Sequence, residues 1–151
     1  MRDLMREGER LPSFVLTSAK GQAVRSSRLV RGRRMVLLLL DEKPGPGDNS
    51  HTWLGEAVRA FNAFENRDTT VLVLARDPRR IREAREMPSP FHSLRDRDGA
   101  AIMQLGGAPA FYLVGKDTRI KVASRRCPEL RQLFALVDRM PMRRQEIKAR
   151  G

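Results

Sequence analysis

The chain has 151 residues, enough for one ordinary core and too few for two. Hydrophobic residues at 40% and charged residues at 32% mark a globular rather than a disordered composition, with aromatics at 5% leaving the core to aliphatic side chains. Thirty Lys and Arg against eighteen Asp and Glu give a net charge of +12, which draws polyanions; the single cysteine, Cys127, excludes an intramolecular disulfide and any multi-cysteine metal site.

Phe14 to Thr17 and Gln22 to Val24 are short runs around Gly21, predicting a small N-terminal hairpin. Met35 to Leu40 is a continuous apolar run, as in a strand buried on both faces. From Thr52 to Phe64 the apolar positions Trp53, Leu54, Ala57, Val58, Phe61 and Phe64 recur at three- and four-residue spacing, predicting an amphipathic helix capped by Asp48 or Ser50. Residues 69 to 75 form a second central strand. The stretch DPRRIREAREM then predicts a helix with Asp77 at the N-cap, Pro78 in its first turn and a basic exposed face.

Residues 89 to 107 are expected to be an irregular connection with a helical turn near Ala100 to Leu105. AFYLV at 110 to 114 and IKVAS at 120 to 124 predict a hairpin across GKDTR. PELRQLFALVDRM predicts a helix with Pro128 at its first position, and residues 141 to 151 a basic tail. No apolar run approaches the roughly 18 residues of a membrane span, and no apolar leader is present, so the expectation is a cytoplasmic protein. The organisation expected is one domain over 1–151, with its core at about 10–140 and a mixed α/β sheet covered by helices on both faces.

That element order, with Pro109 in GGAPAFYLVGKD, resembles the thioredoxin superfamily, in which a cis-proline before the penultimate strand faces the active-site loop. The opening GERLPSFVLTSAKGQAV followed by MVLLLL, and the segment FHSLRDRDGAA, look like peroxiredoxins. LVGKDTRIKV and ELRQLFALVDRMPMRRQE further resemble the peroxiredoxin-like DUDES domain, found in secreted proteins such as equarin and in bacterial proteins of unknown function. Thr118 stands where that pattern leads one to expect glycine. The resemblance implies a thioredoxin-like fold, and its secreted members imply export and a sulfated polysaccharide as partner; it implies no established activity.

In such folds the strand–loop–helix junction carries the working cysteine. Here the loop PGPGDNSHTW offers Asp48, Asn49, Ser50, His51 and Thr52, none of which forms a sulfenic acid, so orthodox peroxidase or CxxC chemistry at this position is excluded by residue type. The candidate site is this degenerate loop with Pro109. His51, near a helix start, is a candidate general base with Asp48, against the alternative of a surface histidine beside an ordinary turn.

Cys127 is a candidate nucleophile, placed by CPEL at a helix N-cap between Arg125 and Arg126, where dipole and charge would lower its pKa; the alternative is a partly buried, incidental thiol. In a thioredoxin-like fold that helix start is expected away from the usual active-site loop. The two histidines and one cysteine have no zinc spacing, so neither metal nor cofactor is expected.

Arg76, Arg79, Arg80, Arg82, Arg85, Arg143 and Arg144 are candidates for a polyanion-binding surface, with Arg31, Arg33, Arg34 and Lys148 beside them. The alternative is a solvated charged face. Nucleic acid is the lesser expectation as a partner, because the aromatics that stack on single strands are not interleaved with these arginines.

Overall fold

The structure, a computed structural model, describes residues 3–81 and 87–150. Its elements are β1 (Val15–Thr17), β2 (Ala23–Arg25), α1 (Ser26–Leu29), β3 (Arg34–Leu39), α2 (Ser50–Arg59), α3 (Phe61–Asn66), β4 (Thr69–Ala75), a 3-10 turn (Pro78–Arg80), β5 (Phe91–Arg95), α4 (Ala100–Gln104), β6 (Ala110–Val114), β7 (Ile120–Ser124), α5 (Leu130–Asp138) and α6 (Pro141–Arg150). The seven strands make one sheet in the order β2-β1-β5-β4-β3-β6-β7. Strands β3, β4 and β5 are parallel to one another, while β6 runs antiparallel to both β3 and β7.

The apolar runs at 35–40 and 69–75 are the two central strands, buried along their whole length. Alternation divides β3 between two cores. Val36 and Leu38 face a cluster with Trp53, Leu54, Phe64, Leu133 and Val137 from α2, α3 and α5. Met35, Leu37 and Leu39 face a second cluster with Ile102, Leu105, Phe14 and Leu16. Aromatic edges knit the first cluster: Trp53 meets Phe111 at 5.5 Å between ring centroids, and Phe64 meets Phe134 at 5.0 Å.

Four expectations are corrected. The helix from Thr52 to Phe64 is two helices, because Ala60 leaves helical geometry (φ −100°, ψ 26°). The stretch expected to be irregular contains β5, whose His92 and Ser93 are half-buried and read as loop although the strand pairs with both β4 and β1. After Asp77, whose carboxylate accepts the Arg79 amide, only a 3-10 turn forms; the remainder of the predicted basic helix, residues 82–86, lies outside the described residues.

The expected basic tail is helix α6. It has little apolar surface to bury and is fastened by charge instead. Glu146 accepts both terminal nitrogens of Arg34, at 3.3 and 3.1 Å, and a bond from Lys116. Arg34 is 1% exposed and also donates to the carbonyl of Arg67 at 3.0 Å. Burial alone would raise the pKa of Glu146, but the hydrogen bonds and charges of Arg34 and Lys116 outweigh it and hold the carboxyl at about 2. The turn between β6 and β7 puts Thr118 at φ 64°, the left-handed conformation that favours glycine.

Candidate functional site

Strand β3 ends at Leu39, and the chain then crosses a Pro/Gly loop to the first turn of α2. Asp48 Oδ1 accepts the Ser50 amide at 2.9 Å, and neither Asp48 nor Ser50 caps the helix: the N-cap is Asn49, which makes no side-chain cap bond. Asn49 uses its amide otherwise. Its Nδ2 donates to the carbonyl of Cys127 at 2.9 Å and its Oδ1 accepts the Cys127 amide at 2.9 Å, a two-point clamp. Arg126 adds a bond to the carbonyl of Gly47 at 2.7 Å.

Cys127 therefore lies against the degenerate loop, not away from it. The sheet explains why: β7 is antiparallel to β6, which is antiparallel to β3, so the segments leaving β3 and β7 emerge at the same end. Nor is Cys127 a helix cap. Helix α5 starts at Leu130 with Glu129 as its N-cap, two residues beyond the expected cap at Cys127. The thiol is 5% exposed and donates weakly to Ser50 Oγ at 3.9 Å.

Burial pushes the Cys127 thiol up to about 12; the Ser50 hydroxyl and Arg126 pull down and Asp48 pushes up by smaller amounts. Arg125, the other arginine expected to activate it, donates to the carbonyls of Gly106, Gly107 and Pro109.

The Ala108–Pro109 bond is cis, and the pairing of Leu39 with Ala110 sets Pro109 beside the exit of β3. His51 bonds through Nε2 to the carbonyl of Asp41 at 3.0 Å, so it is held by the loop and does not pair with Asp48. Thr52 is exposed. A groove of about 660 Å³ runs between α2 and the β7–α5 link, lined by Asn49, Thr52, Trp53, Arg126, Cys127 and Gln132 among others. Two buried polar atoms at this end, Asp48 Oδ2 and Trp53 Nε1, have no protein hydrogen-bond partner. Trp53 reads in sequence as core alone, and its indole gives no sign there of an unsatisfied donor.

The candidate arginines separate by environment. Arg76, Arg79 and Arg144 are exposed, Arg79 pairing with Asp77 at 2.9 Å; Arg80 ends the 3-10 turn, and Arg82 and Arg85 lie outside the described residues. Arg143 does not belong to a basic surface. It is 4% exposed and turns inward to Asp138 and Glu146. Arg33 and Arg34 are likewise taken, by Glu65 and Glu146, whereas Arg31 and Lys148 are exposed.

A mixed sheet with two central parallel strands, a cis-proline across from the β3 exit and a loop–helix junction beside it define a thioredoxin-like fold of the peroxiredoxin type. Solved structures agree. Peroxiredoxin 6 of Arenicola marina, in a cysteine-to-serine mutant, superposes with a TM-score of 0.69 at 16% identity over 89% of this chain and 72% of its own. The thiol peroxidase from Chromobacterium violaceum gives 0.68 at 16% over 91% and 89%. The thioredoxin domain of a thiol-disulfide oxidoreductase from Bacteroides vulgatus gives 0.66 at 16% over 89% and 96%. The chain belongs to the family described as domain of unknown function DUF4174, whose pattern matches residues 32–146. No curated protein matches the sequence.

Proposed function

We propose that this protein is a thioredoxin-fold binding module without thiol-peroxidase or disulfide-exchange chemistry, of the DUDES type, which binds polyanions through its exposed arginines. The observation that carries the first half is the sequestration of Cys127. At pH 7 a thiol with a pKa of about 12 is thiolate on the order of once in 10⁵ molecules, whereas reactive cysteines sit near or below neutrality. The loop position where relatives of this fold place a working cysteine holds Asp48, Asn49, Ser50, His51 and Thr52 instead. The DUDES assignment is supported by LVGKDTRIKV and MPMRRQE, the second of which encloses the glutamate that fastens α6.

Support for the polyanion half is the charge of +12, of which Arg76, Arg79, Arg144 and Lys148 stand at the surface. A sulfated polysaccharide fits better than single-stranded nucleic acid, because Tyr112, Trp53 and Phe64 are all buried and offer no stacking platform.

The test follows hydrogen peroxide in excess dithiothreitol, with the native protein and Cys127→Ser side by side. Both are expected to match the buffer blank. Consumption by the native protein that disappears in Cys127→Ser would assign the chemistry to that thiol and overturn the reading.

A further inference from the structure

We infer that a recess at the carboxyl end of β5 is a binding site for a tetrahedral oxyanion, the sulfate or phosphate group of an ester, held by Arg95 and Arg97. It rests on the polyanion reading above and gives that reading a discrete address. The recess has a volume of about 470 Å³, within the range of about 300–1,000 Å³ usual for small-ligand sites. Thr17, Ser18, Ser93, Arg79, Arg95 and Arg97 are among its described lining residues, which include no Asp or Glu. It lies where β4 and β5, both parallel to β3, run out, and ligands of open α/β sheets gather outside the carboxyl ends of such strands.

The charge of Arg95 and Arg97 is not tied up in an ion pair. Arg33, Arg34, Arg67 and Arg143 each reach a carboxylate, whereas among the described residues neither Arg95 nor Arg97 has one within ion-pair distance. Asp77, next to Pro78, accepts bonds from the side chain and the amide of Arg79 and feels the charge of Arg95 only through space, without a bond to it. Arg95 donates through Nε to the carbonyl of Arg76 at 3.2 Å, which fixes the plane of its guanidinium and leaves its terminal nitrogens for a ligand.

The two arginines are also positioned in advance. Asp96 between them is buried, its amide bonded to the carbonyl of Ala75 at 2.9 Å and its carboxylate accepting the Ile102 amide at 2.8 Å. With Asp96 pinned inward, its neighbours on either side both line the recess. The hydroxyls complete a donor set. Ser18 Oγ accepts the amides of Lys20 and Gln22 at 3.3 and 3.2 Å, so its hydrogen is left for an incoming acceptor. Two guanidinium forks and several hydroxyls supply more donors than a planar carboxylate can use and suit an anion with three free oxygens.

The test is calorimetric titration at low salt with a heparin hexasaccharide, inorganic sulfate and inorganic phosphate, against native protein, Arg95→Gln, Arg97→Gln and the distant Arg144→Gln. Thermal melting checks that each variant folds; Arg97 is exposed, so its variant is expected to melt like the native protein. Loss of a charge-assisted contact in the recess is expected to weaken the hexasaccharide about tenfold or more in Arg95→Gln and Arg97→Gln, and about threefold or less in Arg144→Gln. Sulfate that competes with the hexasaccharide better than phosphate does identifies sulfate esters as the source of the group, and the reverse order identifies phosphate esters. Equal losses in all three variants would overturn the recess while leaving a diffuse polyanion surface. A hexasaccharide that the native protein does not bind would overturn both.

Discussion

Asn49 joins two segments 78 residues apart with one side chain, satisfying a buried amide and a buried carbonyl of Cys127. Removing it strands both groups, which costs about 1–3 kcal/mol for each buried group left without a partner. Asn49→Ala is therefore expected to lower the urea midpoint clearly. Asn49→Asp, which keeps the acceptor and loses the donor, should fall between it and the native protein; an unchanged midpoint in Asn49→Ala would show the clamp to be incidental. Neither partner is conspicuous in the sequence. Asn49 is legible there as a loop residue before a helix, and Cys127 as a thiol beside two arginines, but the contact between them has no local pattern. It follows from strand order alone: β3 and β7 point the same way, a fact that is settled only when β6 is inserted between them. The activating influence expected of Arg125 fails for the same reason, since the carbonyls that claim it, at Gly106, Gly107 and Pro109, lie on another loop.

Helix α6 shows how an element with almost no apolar face can still be part of a fold. Periodicity finds Leu130, Leu133, Phe134 and Val137 in α5 readily, because that helix buries a stripe; it cannot find PMRRQEIKAR, whose attachment is a carboxylate set between Arg34 and Lys116. The energetics follow the charges. The folded-state pKa of Glu146 is depressed to about 2, so its contribution is fully present above the unfolded value near 4.5 and is lost as the pH falls from there towards 2. A difference of that size corresponds to about 3 kcal/mol. In Glu146→Gln the stability at pH 7 should drop by about 3–5 kcal/mol, because Arg34 is left buried without its counter-charge. Its stability should also vary less than that of the native protein between pH 4.5 and 2, as followed by denaturant unfolding at each pH. A native-like pH dependence in the variant would assign the acid sensitivity elsewhere. Strand β5 was hidden differently: with Phe91 and Leu94 inside and His92 and Ser93 half-covered, FHSLR has too short an apolar signature to distinguish a central strand from a loop.

For the molecule as a whole, composition gives the charge and structure gives its distribution. Arg33, Arg34, Arg67 and Arg143 are matched internally, so the surface field is narrower than a count of 30 basic residues implies. Affinity for heparin should accordingly fall steeply with salt, by nearly one log unit per log unit of salt for each contact, and a polyanion at about 100 times its Kd should stabilise the fold by about 2.7 kcal/mol. Melting curves with and without heparin at several salt concentrations check this; a midpoint indifferent to heparin at low salt would remove the binding role. The ion pair between Arg34 and Glu146 also bears on how the protein is made. The first central strand carries a cation whose partner is translated 112 residues later, roughly 6 to 22 s at ordinary rates of synthesis. Until α6 emerges, the sheet would have to bury Arg34 with the Arg67 carbonyl but without its counter-charge, so a ribosome-bound chain ending before α6 should remain open at the amino end of β3. Closing the core around β3 thus waits on a glutamate made 112 residues after the arginine it covers.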